Sequence, residues 1–142
     1  MLDAERLRSP SWTCLHFVPA ADITAELISD LEVSGLACFH LNGDGVQTPV
    51  DVLRGLASTM SFPGYFGLNW DAAEECLRDI GEWRPANGYI LFIHDADWFW
   101  RQHYESMGAL AMIWQSVAEE WAQDDLPFHL VFIASSRPAA RA

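Results

Sequence analysis

Between positions 69 and 80 the side chains sort by type around a helix. Ala72, Ala73, Cys76, Leu77 and Ile80 recur at helical spacing on one side, while Asp71, Glu74, Glu75, Arg78 and Asp79 fall on the other. Such a row of carboxylates can act without bond chemistry. It suits the recognition of guanidinium and ammonium groups through charge-assisted hydrogen bonds. Glu74 and Arg78 can pair at i,i+4, whereas Glu75 and Asp79 repel at the same spacing, a cost of about a few tenths of a kcal/mol. Asp71, in the first turn, is favoured by the helix dipole. An ordinary solvated helix face presents the same stripe, so the preceding segment decides between the two readings. Phe62-Pro63-Gly64-Tyr65-Phe66-Gly67-Leu68-Asn69-Trp70 sets several large aromatics in a turn-rich loop beside the carboxylates, where they are expected to be partly exposed and to mark a binding surface. Gly64 and Gly67 let the backbone of that loop approach a partner closely.

Other chemistry-bearing residues give weaker patterns. His94-Asp95 with Asp97 could be a fragment of a metal site at a strand end, but His16, His40, His103 and His129 show no ligand spacing with it. Asn42-Gly43-Asp44-Gly45-Val46-Gln47-Thr48-Pro49 resembles the first loop of haloacid-dehalogenase-type phosphatases, yet Asn42 stands where those enzymes carry the nucleophilic aspartate, and an amide forms no aspartyl-phosphate. Neither a Gly-rich phosphate loop nor a Ser or Cys nucleophile motif beside a histidine is found. The expectation is a protein without catalytic residues, metal or cofactor. Cys14, Cys38 and Cys76 are odd in number, widely spaced and set among apolar neighbours, which favours reduced core thiols.

These residues need a frame to hold them, and 142 residues, 51% of them hydrophobic, suffice for one compact core. Leu36 to Leu41 reads as a buried strand ending in the turn Asn42 to Gly45, and Thr48-Pro49 then caps a helix to about Met60 with Val50, Leu53, Leu56, Ala57 and Met60 facing inward. Asn69 is a good N-cap for the acidic helix, which should close near Gly81. Ile90 to Ile93 and Phe128 to Ile133 are short, branched and apolar enough to be central strands. Between them an aromatic stretch and a long helical pattern run to about Gln123, with Leu110, Ile113, Trp114, Val117 and Trp121 on one face. Strands separated by helices imply parallel pairing, because parallel strands need crossovers. The expected fold class is therefore α/β. Its centre is a three-stranded parallel sheet covered by helices, to which Trp12 to Val18 and Asp22 to Val33 could add an N-terminal strand and helix at one edge.

Charge narrows the partner. Twenty acidic against eight basic residues give a net charge of −12, and every basic residue is arginine. Such a field repels nucleic acid and anionic membranes and attracts a basic protein. No apolar run reaches the roughly 20 residues that cross a bilayer, and Met1 to Pro10 lacks the pattern of a secretory leader, so a cytoplasmic protein is expected.

The run Phe62 to Leu77, with its tyrosine and aromatic, glycine, asparagine, then aspartate and alanine leading into acidic-cysteine-leucine, resembles the barstar family. The strand and turn at Leu41-Asn42-Gly43, the later strand and the final helix and strand follow in the family's order, so the resemblance covers about Leu36 to Ala134. It implies a three-stranded parallel sheet with helices and an inhibitor that plugs the basic active-site cleft of a ribonuclease. The implied division is an N-terminal extension, 1–35, packed on or beside the sheet, a barstar-like domain, 36–134, and a disordered tail, 135–142. The family's contact surface falls on Tyr65, Gly67, Asn69, Asp71 and Glu75, and the acidic face adds Glu74 and Asp79. The chain departs from the family's best-known member at Glu75, where that member has aspartate, and at Glu74, where it has tryptophan. The position that would align with a further acidic contact from the later helix is Ser116, which carries no charge. The competing expectations are a binding or immunity module of the same fold whose target is not a ribonuclease and, more remotely, a small phosphatase-like enzyme.

Overall fold

A computed structural model describes residues 2–64 and 67–135. Its elements are α1 (Ala4–Leu7), β1 (Leu15–Pro19), α2 (Ala25–Val33), β2 (Ala37–Asn42), α3 (Pro49–Met60), α4 (Trp70–Asp79), β3 (Tyr89–His94), α5 (Ala96–Gln102), α6 (Tyr104–Gln123) and β4 (Phe128–Ala134). All pairings are parallel, in the order β1-β4-β3-β2. The sheet thus has four strands rather than the three expected at its centre. The fourth is supplied by the N-terminal segment, whose Leu15 to Pro19 runs alongside Leu130 to Ala134. The expected tail lies, beyond Ser135, outside the described residues.

Burial follows position in the sheet. Tyr89 to Ile93 and Phe128 to Ile133 are buried without a break, the mark of parallel strands covered on both faces. Outer strand β2 alternates instead, with Ala37, Phe39 and Leu41 buried and His40 and Asn42 exposed. On one face Phe39, Leu91, Leu130 and Phe132 pack against α3 to α6 through Leu56, Leu77, Phe99, Leu110 and Trp114. On the other, Ile90, Phe92, Val131 and Ile133 pack against Leu7 of α1 and Leu27 and Leu31 of α2. The N-terminal segment therefore covers a face that the central strands could not leave in water.

Local chemistry fixes the helix ends. Thr48 and Asp51 form a reciprocal capping box, with Pro49 in the first turn. The inner face of α3 is Val52, Leu53, Leu56 and Met60, which corrects the expected set: Val50 is exposed and Ala57 half-buried. Val50 lies about 120° round the helix from Leu56, and the stripe centred on Leu56 leaves it out. The long aromatic pattern divides at His103 into α5 and α6. Ile113 and Trp121 are only partly buried, at the margin of the face carried by Leu110, Trp114 and Val117.

Two histidine pairs cross the sheet. His16 Nε2 lies 2.9 Å from His129 Nδ1, and His129 Nε2 lies 2.8 Å from the Ser9 carbonyl. A carbonyl only accepts, so His129 donates from Nε2 and its Nδ1 accepts from His16 Nε2–H; both imidazoles are neutral in this arrangement. Burial is the main cause that pushes both down, His16 to about 4, and Arg6 adds to it. His40 Nδ1 and His94 Nε2 are likewise 2.9 Å apart, and partial desolvation of the rings, where His40 stacks on Phe92 and His94, lowers both.

Two expected outcomes follow from this packing. A histidine depressed in the fold but ordinary in the unfolded chain takes up protons on unfolding, so its contribution is fully present above 6.5 and is lost as pH falls towards about 4. Stability measured by urea unfolding should fall over that window more steeply in the parent than in His16→Gln, whose amide does not titrate; equal slopes would refute the assignment. The thiols give the second outcome. Burial raises Cys14 and Cys38 to about 11 and raises Cys76 as well, so a thiol reagent at neutral pH should modify Cys76 only after unfolding. Prompt labelling of native Cys76 would contradict the orientation of α4.

Candidate functional site

The acidic helix is built from its cap. Asn69 Oδ1 accepts from Ala72 N–H at 2.8 Å, and its Nδ2–H donates to the Gly67 carbonyl at 3.3 Å, so one side chain ties the loop to the first turn of α4. A Cβ at Gly67 would stand 3.2 Å from that amide nitrogen, a tight contact that glycine avoids. At the other end of the loop Ser61 takes a left-handed conformation, φ 56°, as the C-cap of α3. Phe62 then packs edge-on against Trp83, with ring centroids 6.4 Å apart, while Trp83 Nε1–H donates to the Met60 carbonyl at 3.1 Å.

The described loop residues are exposed or partly buried, and none is fully buried. Phe62 and Trp70 are partly buried against the core and act as anchors at its two ends. Leu68, with φ 50°, is the exposed apolar residue between them. Tyr65 and Phe66 lie outside the described residues. Gly67 and Asn69 are both exposed.

Within α4, Ala73, Cys76 and Leu77 are buried, and Ile80 continues the stripe just past the helix. Trp121 of α6 donates from Nε1 to the Leu77 carbonyl at 3.2 Å, which closes the C-terminal turn against the neighbouring helix. Opposite the buried stripe Asp71, Glu75 and Asp79 are exposed at i, i+4 and i+8, a row that runs along the axis. Glu75 and Asp79 flank Cys76 closely enough for their charges to add to burial in raising its thiol.

Glu74 behaves differently from its neighbours. Its carboxylate is half-buried and pairs with Arg78, whose guanidinium also binds Glu120 of α6. The two carboxylates, Glu120 foremost, push Arg78 further above its ordinary value. The clamp withdraws Glu74 from the exposed row and braces α4 on α6. The i,i+4 partnership of Glu74 and Arg78 is visible in the sequence, but Glu120 is not: it stands on an acidic helix end with nothing to connect it to position 78.

The competing sites gain little from the structure. His40 and His94 do meet, although their separation in sequence gave no ligand spacing, because β2 and β3 run side by side. Among the described residues no group of three or more His, Cys, Asp or Glu could hold a metal ion. Asn42 Oδ1 accepts from the Asp44 N–H at 3.3 Å and turns the chain after β2, which gives it a structural task at the position where a phosphatase would need its nucleophile.

Among the described residues no helix is long and apolar enough to cross a membrane. No curated protein matches the sequence significantly. Residues 36–133 match the family described as Barstar (barnase inhibitor), a stretch that runs from just before β2 through nearly all of β4 and includes the whole acidic helix. That match covers well over half of the chain, and on it the chain belongs to the barstar family.

Proposed function

We propose that the chain is an intracellular protein inhibitor that lays the outer face of α4 and the loop before it into the basic active-site cleft of a ribonuclease. The observation that carries this reading is the exposed row Asp71, Glu75 and Asp79 on a helix held at its cap by Asn69 and braced on α6 by Arg78. A ribonuclease cleft is cationic because it must hold phosphate, and a rigid row of carboxylates can occupy those phosphate positions with little ordering cost on binding. Tyr65 and Gly67 would contribute the loop side of the contact, and Asn69 sets its geometry. Residues 36–134 carry the inhibitor in this reading, and residues 1–35 are an extension of it. Inhibition is by occupancy, so it requires neither catalysis nor a cofactor.

One observation favours a second reading, in which the fold serves as a binding or immunity module for a different basic protein. Where the family's best-known member presents tryptophan, this chain has Glu74, and that residue is held by Arg78 and not offered to a partner. The surface beside Glu75 is thus polar and already paired, which changes what fits against it. An inhibition assay against a panel of basic ribonucleases separates the two readings: inhibition of at least one supports the first, and tight capture of a basic protein without ribonuclease activity supports the second.

In either case Asp71→Ala and Glu75→Ala should each weaken binding by roughly 2 kcal/mol or more, a scale set by truncations at protein interfaces generally, the barnase–barstar pair among them. Both side chains are exposed, so their loss opens no cavity. In the complex, by contrast, it leaves a partner cation desolvated and unpaired. Glu74→Ala should cost less. Association should slow as salt rises, since a net charge of −12 steers a basic partner over about the Debye length. Unchanged affinity in both alanine variants together with salt-independent association would reduce the acidic row to a solvated surface.

A further inference from the structure

The outer edge of β1 is bare among the described residues, since β1 pairs with β4 alone. Leu130 N–H donates to the Cys14 carbonyl at 2.8 Å, which fixes the alternation of the parallel ladder. Cys14, His16 and Val18 turn their backbone groups towards β4, and Leu15 and Phe17 turn theirs outward. The sheet's other edge is handled differently. There the outward N–H of His40 donates to Thr59 Oγ1 at 3.3 Å, so α3 covers β2.

Sheet edges are normally protected by charge, a bulge or a covering element. From Ser9 to Ala21 the chain carries no Asp, Glu, Lys or Arg, and Pro19 interrupts the outward donors only at the end of the strand. Phe17, on the edge itself, is 64% exposed, stacked on Phe132 at 4.9 Å between centroids. An open recess runs along the whole strand, and its two charged linings are Arg6 and Asp22, one of each sign. On a molecule of net charge −12 this is a locally neutral surface, and so a place where two acidic chains can meet without like-charge contact.

We propose that β1 pairs antiparallel with β1 of a second copy of this chain, about a two-fold axis passing beside His16. The register is fixed by the backbone. With His16 opposite its symmetry mate as a non-hydrogen-bonded pair, Leu15 and Phe17 of each copy stand opposite Phe17 and Leu15 of the other. Both pairs then exchange N–H···O bonds in both directions, which satisfies the outward groups of all four residues. The same register sets Phe17 of one copy beside Leu15 of the other on one face, an aromatic-aliphatic cross-strand contact. β1 lies outside the stretch matched to the barstar family, so the proposal is independent of the reading of α4.

Sedimentation of the full chain over a range of concentrations tests it. The expected mass rises from 16.0 kDa towards twice that value, and it does so more readily at high salt, because screening relieves the repulsion between two acidic chains. Phe17→Lys, which charges the edge, and Phe17→Pro, which removes an outward donor without touching the ladder to β4, should both remain monomeric. Met112→Lys, on the exposed side of α6, should dimerise as the parent does. Hydrogen exchange on the parent gives a readout that needs no variant: the Leu15 and Phe17 amides should gain protection as concentration rises. A parent that stays at 16.0 kDa throughout, a dimer that survives both Phe17 substitutions, or Leu15 and Phe17 amides indifferent to concentration would each overturn the proposal. So would a monomeric parent whose β1 amides become protected only when another protein is added.

Discussion

Strands β3 and β4 bury an unbroken apolar run, and a parallel pair of that composition is stable only if both of its faces are removed from water. The other elements answer that demand. Helices α3 to α6 close one face around Leu91, Leu130 and Phe132, and α1 and α2 close the other over Phe92, Val131 and Ile133. Helix α4 inherits its rigidity from this arrangement. Ala73, Cys76, Leu77 and Ile80 are held in the first core, so the opposite row of carboxylates is presented at fixed spacing.

Polar groups then refine what the apolar core has set. Asn69 joins the loop to the helix start, Trp121 satisfies a carbonyl near the helix end, and Arg78 ties Glu74 to Glu120. These contacts are half-exposed and individually weak. Their value lies in position, because they act where α4 would otherwise fray and they decide which carboxylates remain available. The clamp on Glu74 makes the outer face of α4 unlike one that carries an aromatic residue there. In this way a shared fold can serve a different target, by a change in which side chains are free and without any change in backbone.

The N-terminal segment adds a second consequence of the same packing demand. By covering the far face of the sheet it brings β1 alongside β4, and by doing so it moves the sheet's edge outward to a strand with no charge on it. It also places His16 against His129 beneath Ser9, so the contact between extension and sheet contains imidazoles that are neutral when paired. The N-terminal segment is therefore bound to the sheet by apolar burial and by a hydrogen-bonded chain that acid disturbs.

The sequence by itself determined the elements whose patterns are local. The unbroken apolar runs at Ile90 to Ile93 and Phe128 to Ile133, the Thr48-Pro49 cap and the alternation of side-chain type from Asp71 to Ile80 each depend on neighbours within one or two turns, and the strands and helices formed there with parallel pairing. The motif from Phe62 to Leu77 likewise identified the family, because it is contiguous. What only the tertiary structure decided involves residues far apart in the chain. The fourth strand depends on Leu15 meeting Leu130, the withdrawal of Glu74 on Arg78 meeting Glu120, and the paired histidines on β2 meeting β3 and β1 meeting β4. The inward turn of Phe62 and Trp70 belongs with these, since a turn-rich segment shows its aromatics but not the core surface that receives them. Periodicity reports which way a side chain faces along its own element, and it carries no information about which element lies opposite.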